Sequence, residues 1–96
     1  TAVNGAINLV EPDDRVLTTG FIAPHLSQRS TIKLLEGRWD VARIERNNLN
    51  TILIAMHHLS AATPDSEAIS TKTLLENAPE FNLVYHRQDV FLFKKQ

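Results

Sequence analysis

Val3, Ala6, Ile7 and Val10 recur at steps of three and four residues, the spacing that lays side chains along one face of a helix. Glu11-Pro12 closes that pattern, because proline disfavours helical geometry in the residue before it. Asp13-Asp14 then reads as a turn. The pattern opens at the first residues without a capping side chain, as the tail of a longer helix would. Residues 15–19 are short, apolar and β-branched and run into Gly20, which predicts a buried strand ending in a tight turn. In residues 21–28, Ile22 and Leu26 stand four apart and Pro24 suits a first helical turn, so a short helix or single turn is expected. Residues 31–35 set Ile32 and Leu34 against Lys33, the alternation of a second strand.

Residues 36–50 are less regular. Gly37 interrupts them, Trp39, Val41 and Ile44 are their apolar points, and Asn47, Asn48 and Asn50 favour turns. They read as a connection holding a short strand or a helical turn. Residues 51–56 are nearly all apolar, as in a strand covered on both faces, and are expected at the centre of the sheet. Residues 57–69 are small and polar, in the manner of a loop. Within them Thr63 could cap a helix with Pro64 at its first position. Leu74, Leu75 and Ala78 give that helix a buried face and Pro79 ends it. Residues 81–86 alternate Phe81, Leu83 and Tyr85 with Asn82, Val84 and His86, and residues 90–93 are apolar again. The three residues between them are short enough for a hairpin. Lys94-Lys95-Gln96 makes a solvated end.

Strands alternating with helices imply right-handed crossovers and a parallel core. The expected fold is a small α/β domain of two or three layers. Its sheet would have about five strands, mostly parallel, with an antiparallel C-terminal hairpin at the edge. No repeat, low-complexity tract or linker divides residues 1–96, so one domain is expected.

Composition adds limits. A chain of 96 residues can bury roughly two-thirds of its unfolded surface, enough for one core and little more. The content of 43% hydrophobic and 22% charged residues is that of a folded globular domain. A net charge of −1 gives no overall field toward nucleic acid, and no nucleic-acid partner is expected. The absence of cysteine removes disulfides, thiolate catalysis and cysteine-ligated zinc. No apolar run approaches the ~20 residues that span a bilayer. The chain opens at Thr1 with neither an initiator methionine nor a signal-like start, and reads as a domain excised from a larger protein.

The candidate chemistry is sparse. His25, Ser27 and Arg29 alternate just beyond the first buried strand, where α/β sheets often bind ligands. A nucleophilic Ser27 with His25 as base would need an orienting third group and an oxyanion site, and the sequence offers neither. A contact surface of His25, Ser27 and Arg29 is the stronger reading, with Arg29 as a forked donor to carboxylate or phosphate. His57-His58 would point to opposite faces of a strand, and no metal-ligand motif accompanies the pair, so no metal is expected. Gly20 stands alone after the first strand, without the glycine pattern of a phosphate loop, and no cofactor is expected. Asp13-Asp14 fits a turn better than an acid–base pair. Arg38, Trp39, Arg43 and Arg46 form a basic, aromatic-containing cluster that could meet phosphate, but Glu36, Asp40 and Glu45 nearly cancel its charge.

Taken together, the apolar first helix, Glu11-Pro12-Asp13-Asp14-Arg15-Val16 and Ala23-Pro24-His25-Leu26-Ser27-Gln28-Arg29 resemble the soluble tail of a family of predicted multi-spanning membrane proteins of unknown function, found in bacteria and archaea. Its members tend to read I-P-x-D-A-x-V, then P-H-L-S-x-R, then a strand carrying I-Y-L, matched here by Thr31-Ile32-Lys33-Leu34-Leu35. The closing hairpin is also similar. Where the family places Asp after a run of aliphatics, residues 51–56 carry none. The resemblance is specific at residues 24–29. The family in turn resembles integral-membrane glycosyltransferases that use lipid-linked sugar donors, whose chemistry lies in membrane helices and their first loops. The resemblance therefore implies a non-catalytic, extracytoplasmic accessory domain. Its partners would be the membrane-embedded part of the same polypeptide and a lipid-linked sugar or acceptor. Two other classes compete with this expectation: a small-molecule or nucleotide-binding α/β module, and a stand-alone hydrolase.

Overall fold

A computed structural model describes residues 2–19, 31–56 and 65–96. Its elements, in chain order, are α1 (Ala2–Ile7), β1 (Arg15–Thr18), β2 (Thr31–Leu34), α2 (Val41–Arg46), β3 (Thr51–Ala55), α3 (Asp65–Glu76), β4 (Phe81–Arg87) and β5 (Val90–Lys95). The five strands form one sheet in the order β2-β1-β3-β5-β4. The β1 strand pairs in parallel with β2 and with β3, whereas β5 pairs antiparallel with both β3 and β4.

The sheet is thus mixed, which corrects the mostly parallel sheet expected from sequence. The hairpin is present, but its second strand lies inside the sheet and not at the edge. Side-chain burial explains the placement. Val90, Phe91, Leu92 and Phe93 are all buried, so β5 needs cover on both faces. β4 leaves Leu83 and Val84 about half exposed and takes the edge. A register shift between Leu83 and Tyr85 bulges that edge strand, a device that discourages further pairing.

Two cores flank the sheet, one on each face, because successive strand residues point to opposite sides. Leu17, Ile52, Ile54, Phe91 and Phe93 share one core with Trp39 and with Ile44, Ala68 and Leu75 of α2 and α3. Val16, Leu53, Ala55, Val90 and Leu92 share the other with Ala2 and Ala6 of α1. The result is three layers, with α1 on one face and α2 and α3 on the other. The prediction that residues 51–56 form a central, doubly covered strand agrees with the wholly buried β3.

Small residues set the approach of α1. The Tyr85 hydroxyl donates to the Ala2 carbonyl at 2.8 Å. Its ring lies so close to the helix that a Cβ on Gly5 would stand 2.5 Å from the hydroxyl oxygen. Glycine is needed there for space and not for conformation.

The connection of residues 36–50 contains a helix fixed by its ends. The Asp40 carboxylate accepts the Arg43 backbone N–H at 2.8 Å as the N-cap of α2. At the other end Asn48 has φ +58, the Asn48 N–H donates to the Glu45 carbonyl and the Leu49 N–H donates to the Ile44 carbonyl. This is a Schellman closure, and buried Leu49 and Ile44 supply its apolar contact. The expected cap Thr63 and first-turn Pro64 lie outside the described residues, and helix α3 spans Asp65–Glu76, in keeping with the helix entry expected at residues 63–65. Its buried stripe holds Ala68, Thr71 and Leu75, and the small members of that stripe hide the helical period in the sequence.

Candidate functional site

The order β2-β1-β3 makes a topological switch point. From the carboxyl end of β1 the sheet grows in one direction to β2 and in the other to β3. In open α/β sheets, ligands characteristically lie in the crevice outside such strand ends. Thr18 closes β1, Thr19 follows it, and both are fully buried. The Thr18 carbonyl accepts the Leu35 N–H at 2.8 Å, the Thr19 N–H donates to the Leu53 carbonyl at 3.3 Å, and the Thr19 hydroxyl accepts the Ala55 N–H at 3.4 Å. These bonds hold the ends of the three parallel strands together. The β4–β5 turn reaches the same end of the sheet, where the Asp89 carbonyl accepts the Met56 N–H at 2.9 Å.

Residues 20–30 follow this end of β1 and residues 57–64 follow β3 in the chain. The expected contact residues His25, Ser27 and Arg29 fall in the first segment and His57-His58 in the second. All five lie outside the described residues, as does the short helix or turn expected over residues 21–28.

The opposite end of the sheet holds Asp14, which sequence reasoning placed in a turn. Asp14 is 8% exposed. Its Oδ2 accepts the Glu11 N–H at 2.9 Å and pairs with Lys94 Nζ at 3.0 Å. Its Oδ1 accepts from Asn50 Nδ2 at 3.3 Å, and Asn50 Oδ1 accepts the Arg15 N–H at 2.8 Å and the Thr51 hydroxyl at 3.1 Å. Burial pushes the Asp14 pKa up, but the Glu11 N–H, the Lys94 ammonium and Asn50 outweigh it and hold the carboxyl below its ordinary value. A carboxylate satisfied on both oxygens ties β1, β3 and β5 together at their shared end. This supports its reading as structural over acid–base chemistry.

The basic cluster is divided by the fold. Buried Trp39 donates from Nε1 to the Glu36 carbonyl at 2.9 Å. The Arg43 guanidinium lies 3.9 Å above the indole ring and donates from Nη1 to the Arg38 carbonyl at 2.8 Å. These contacts close the turn at Gly37, which has φ +71. Beside them is a cavity of about 380 Å³ between β2 and α2, lined by Ile32, Lys33, Leu34, Glu36, Trp39, Arg43 and Asn47. Sequence reasoning found Trp39 and Arg43 but not Lys33 or Asn47. Lys33 reads simply as the solvent position of a strand, and Asn47 as a turn residue.

Among the described residues, no three His, Asp or Glu side chains are grouped to hold a metal ion. No described helix is long and apolar enough to cross a membrane. Compared with protein-family models, curated proteins and solved structures, the chain has no match in any of the three.

Proposed function

We propose that this chain is a non-catalytic accessory domain of a multipass membrane protein akin to glycosyltransferases that use lipid-linked sugar donors. In this reading it sits on the extracytoplasmic side, packs against the membrane-embedded part of its own polypeptide and helps admit the sugar or its acceptor. The support is of two kinds. Residues 24–29 carry the specific part of the family resemblance. They also follow the carboxyl end of β1 at the switch point between β2 and β3, the position from which α/β sheets characteristically present binding segments. That topological position is the observation that carries the proposal. His25, Ser27 and Arg29 are the proposed contact surface, with the Arg29 fork suited to carboxylate or phosphate.

The test is the glycosyl-transfer activity of the full-length protein with Arg29→Ala, alongside the 96-residue chain alone. Loss of a forked, charge-assisted contact is expected to lower full-length activity by about tenfold or more, and the chain alone is expected to be inactive. Turnover by the chain alone would contradict the proposal. The same switch point also favours a second reading, a small-molecule or nucleotide-binding module. A rise of several degrees in melting temperature with a nucleotide, abolished by Arg29→Ala, would favour that reading instead.

A further inference from the structure

We propose that the cavity between β2 and α2 is a binding site for a hydroxyl-bearing phosphate ester. Its described lining residues belong to β2, α2 and the chain between and after them, and the proposal is tested independently of the function proposed above.

The volume of about 380 Å³ suits a small ligand. Among the described residues β2 is the edge of the sheet, and no further described strand closes the outer side of the cavity. Two cations line it, and neither is neutralised within the described residues. Lys33 is exposed and makes no ion pair there. Arg43 is held in place at three points: its backbone N–H on Asp40, its Nη1 on the Arg38 carbonyl and its guanidinium over the Trp39 ring. Its remaining N–H groups meet no acceptor among the described residues. The arrangement fixes a fork in advance, and less entropy is then lost when an oxyanion engages it.

The nearby carboxylates are mostly committed elsewhere. Asp40 caps α2, and Glu45 pairs with Lys95 at 3.7 Å. Among the described residues, Glu36 is the one acid left on the cavity wall. Asn47 spends its amide N–H on the Arg43 carbonyl at 2.8 Å and keeps its side-chain oxygen as an acceptor. Two cations therefore face one carboxylate and one amide oxygen. The cations suit a phosphate, and the two acceptors suit hydroxyl groups carried by the same ligand. A bare anion would leave the acceptors unused, and a neutral polyol would leave the charge of the cations unmatched.

Trp39 is the chain's one tryptophan and lies under Arg43, so its emission reports directly on this site. The experiment titrates the 96-residue chain with glycerol 1-phosphate at constant ionic strength, with glycerol and sodium chloride as blanks. A second arm uses vesicles of phosphatidylglycerol against vesicles of phosphatidylcholine. A saturable change in emission is expected, with a dissociation constant on the order of 1 mM for an open site with two charge contacts. It should weaken by about tenfold in Arg43→Gln and in Lys33→Gln, and be unchanged in Arg87→Gln. Lys33 is exposed and makes no internal contact that folding needs, so Lys33→Gln remains informative if Arg43→Gln unfolds. A response to the soluble ester assigns a free metabolite, and a response to anionic vesicles alone assigns a lipid headgroup. No response in either arm, or an undiminished response in Lys33→Gln, overturns the proposal.

Discussion

Replacing Phe93 by alanine is expected to destabilise the domain by about 3–5 kcal/mol, the range for truncating a fully buried aromatic side chain. Phe93 is completely buried and sits opposite Ile52 of β3 and Leu83 of β4. Its ring belongs to the core that joins the sheet to α2 and α3. The neighbours are anchored in the sheet and in α2 and α3, so they can collapse only partly into the space left behind. A small domain is stable by only about 5–15 kcal/mol, so the variant would lose a large part of its margin. Urea or thermal unfolding followed by circular dichroism measures the loss. Ile69→Ala, at a position of α3 that is 49% exposed, should change stability by no more than about 0.5 kcal/mol. Equal effects at the two positions would mean that β5 is not the inner strand.

Asp14→Ala is the second large effect, expected to cost about 2–3 kcal/mol. The substitution leaves the Glu11 N–H and Asn50 Nδ2 without their acceptor and removes the partner of Lys94. Lys94 is partly exposed and recovers some hydration, which keeps the cost below that of a fully buried pair. The same carboxylate gives a pH signature. Its folded pKa lies below its ordinary value, so between the two the unfolded chain binds the extra proton. The stabilisation is fully present above the unfolded value of about 3.9 and is lost as pH falls through the folded pKa. Asp14→Asn should therefore show a shallower loss of stability below about pH 4 than the wild type. Identical slopes would remove Asp14 as a source of the acid sensitivity.

Much of the architecture was legible because strongly patterned segments decide their own state. The run at residues 51–56 read as a strand covered on both faces and the stretch over residues 81–93 as a hairpin, and both are present. The first helix is present but stops at Ile7, short of the boundary expected at Glu11-Pro12, and Val10 is buried beyond its end. What escaped depends on contacts that no local pattern encodes. Helix α2 is six residues long and is made by Asp40 at one end and Asn48 with Leu49 at the other, so three asparagines that look like loop are partly a helix stop. Helix α3 buries alanine and threonine where a reader looks for leucine. The insertion of β5 between β3 and β4 follows from the difference in burial between two apolar strands, which alternation alone does not rank.

The chemistry was less legible than the fold. Trp39 and Arg43 were visible as a pair of residue types, but their stacking depends on the turn at Gly37. Lys33 joins them only because β2 lies at the sheet edge beside α2. Asp14 read as a turn residue, and only the fold shows it bound by Lys94, eighty positions along the chain.

The membrane-anchored, extracytoplasmic reading is tested most directly by immunoblotting fractionated cells that make the protein, with an antibody raised against these 96 residues. The expected band stays with carbonate-washed membranes, is released by detergent, runs well above the mass of this chain and loses the epitope to protease added outside spheroplasts. A band of about this chain's own size in the soluble fraction, protected from external protease, would contradict it.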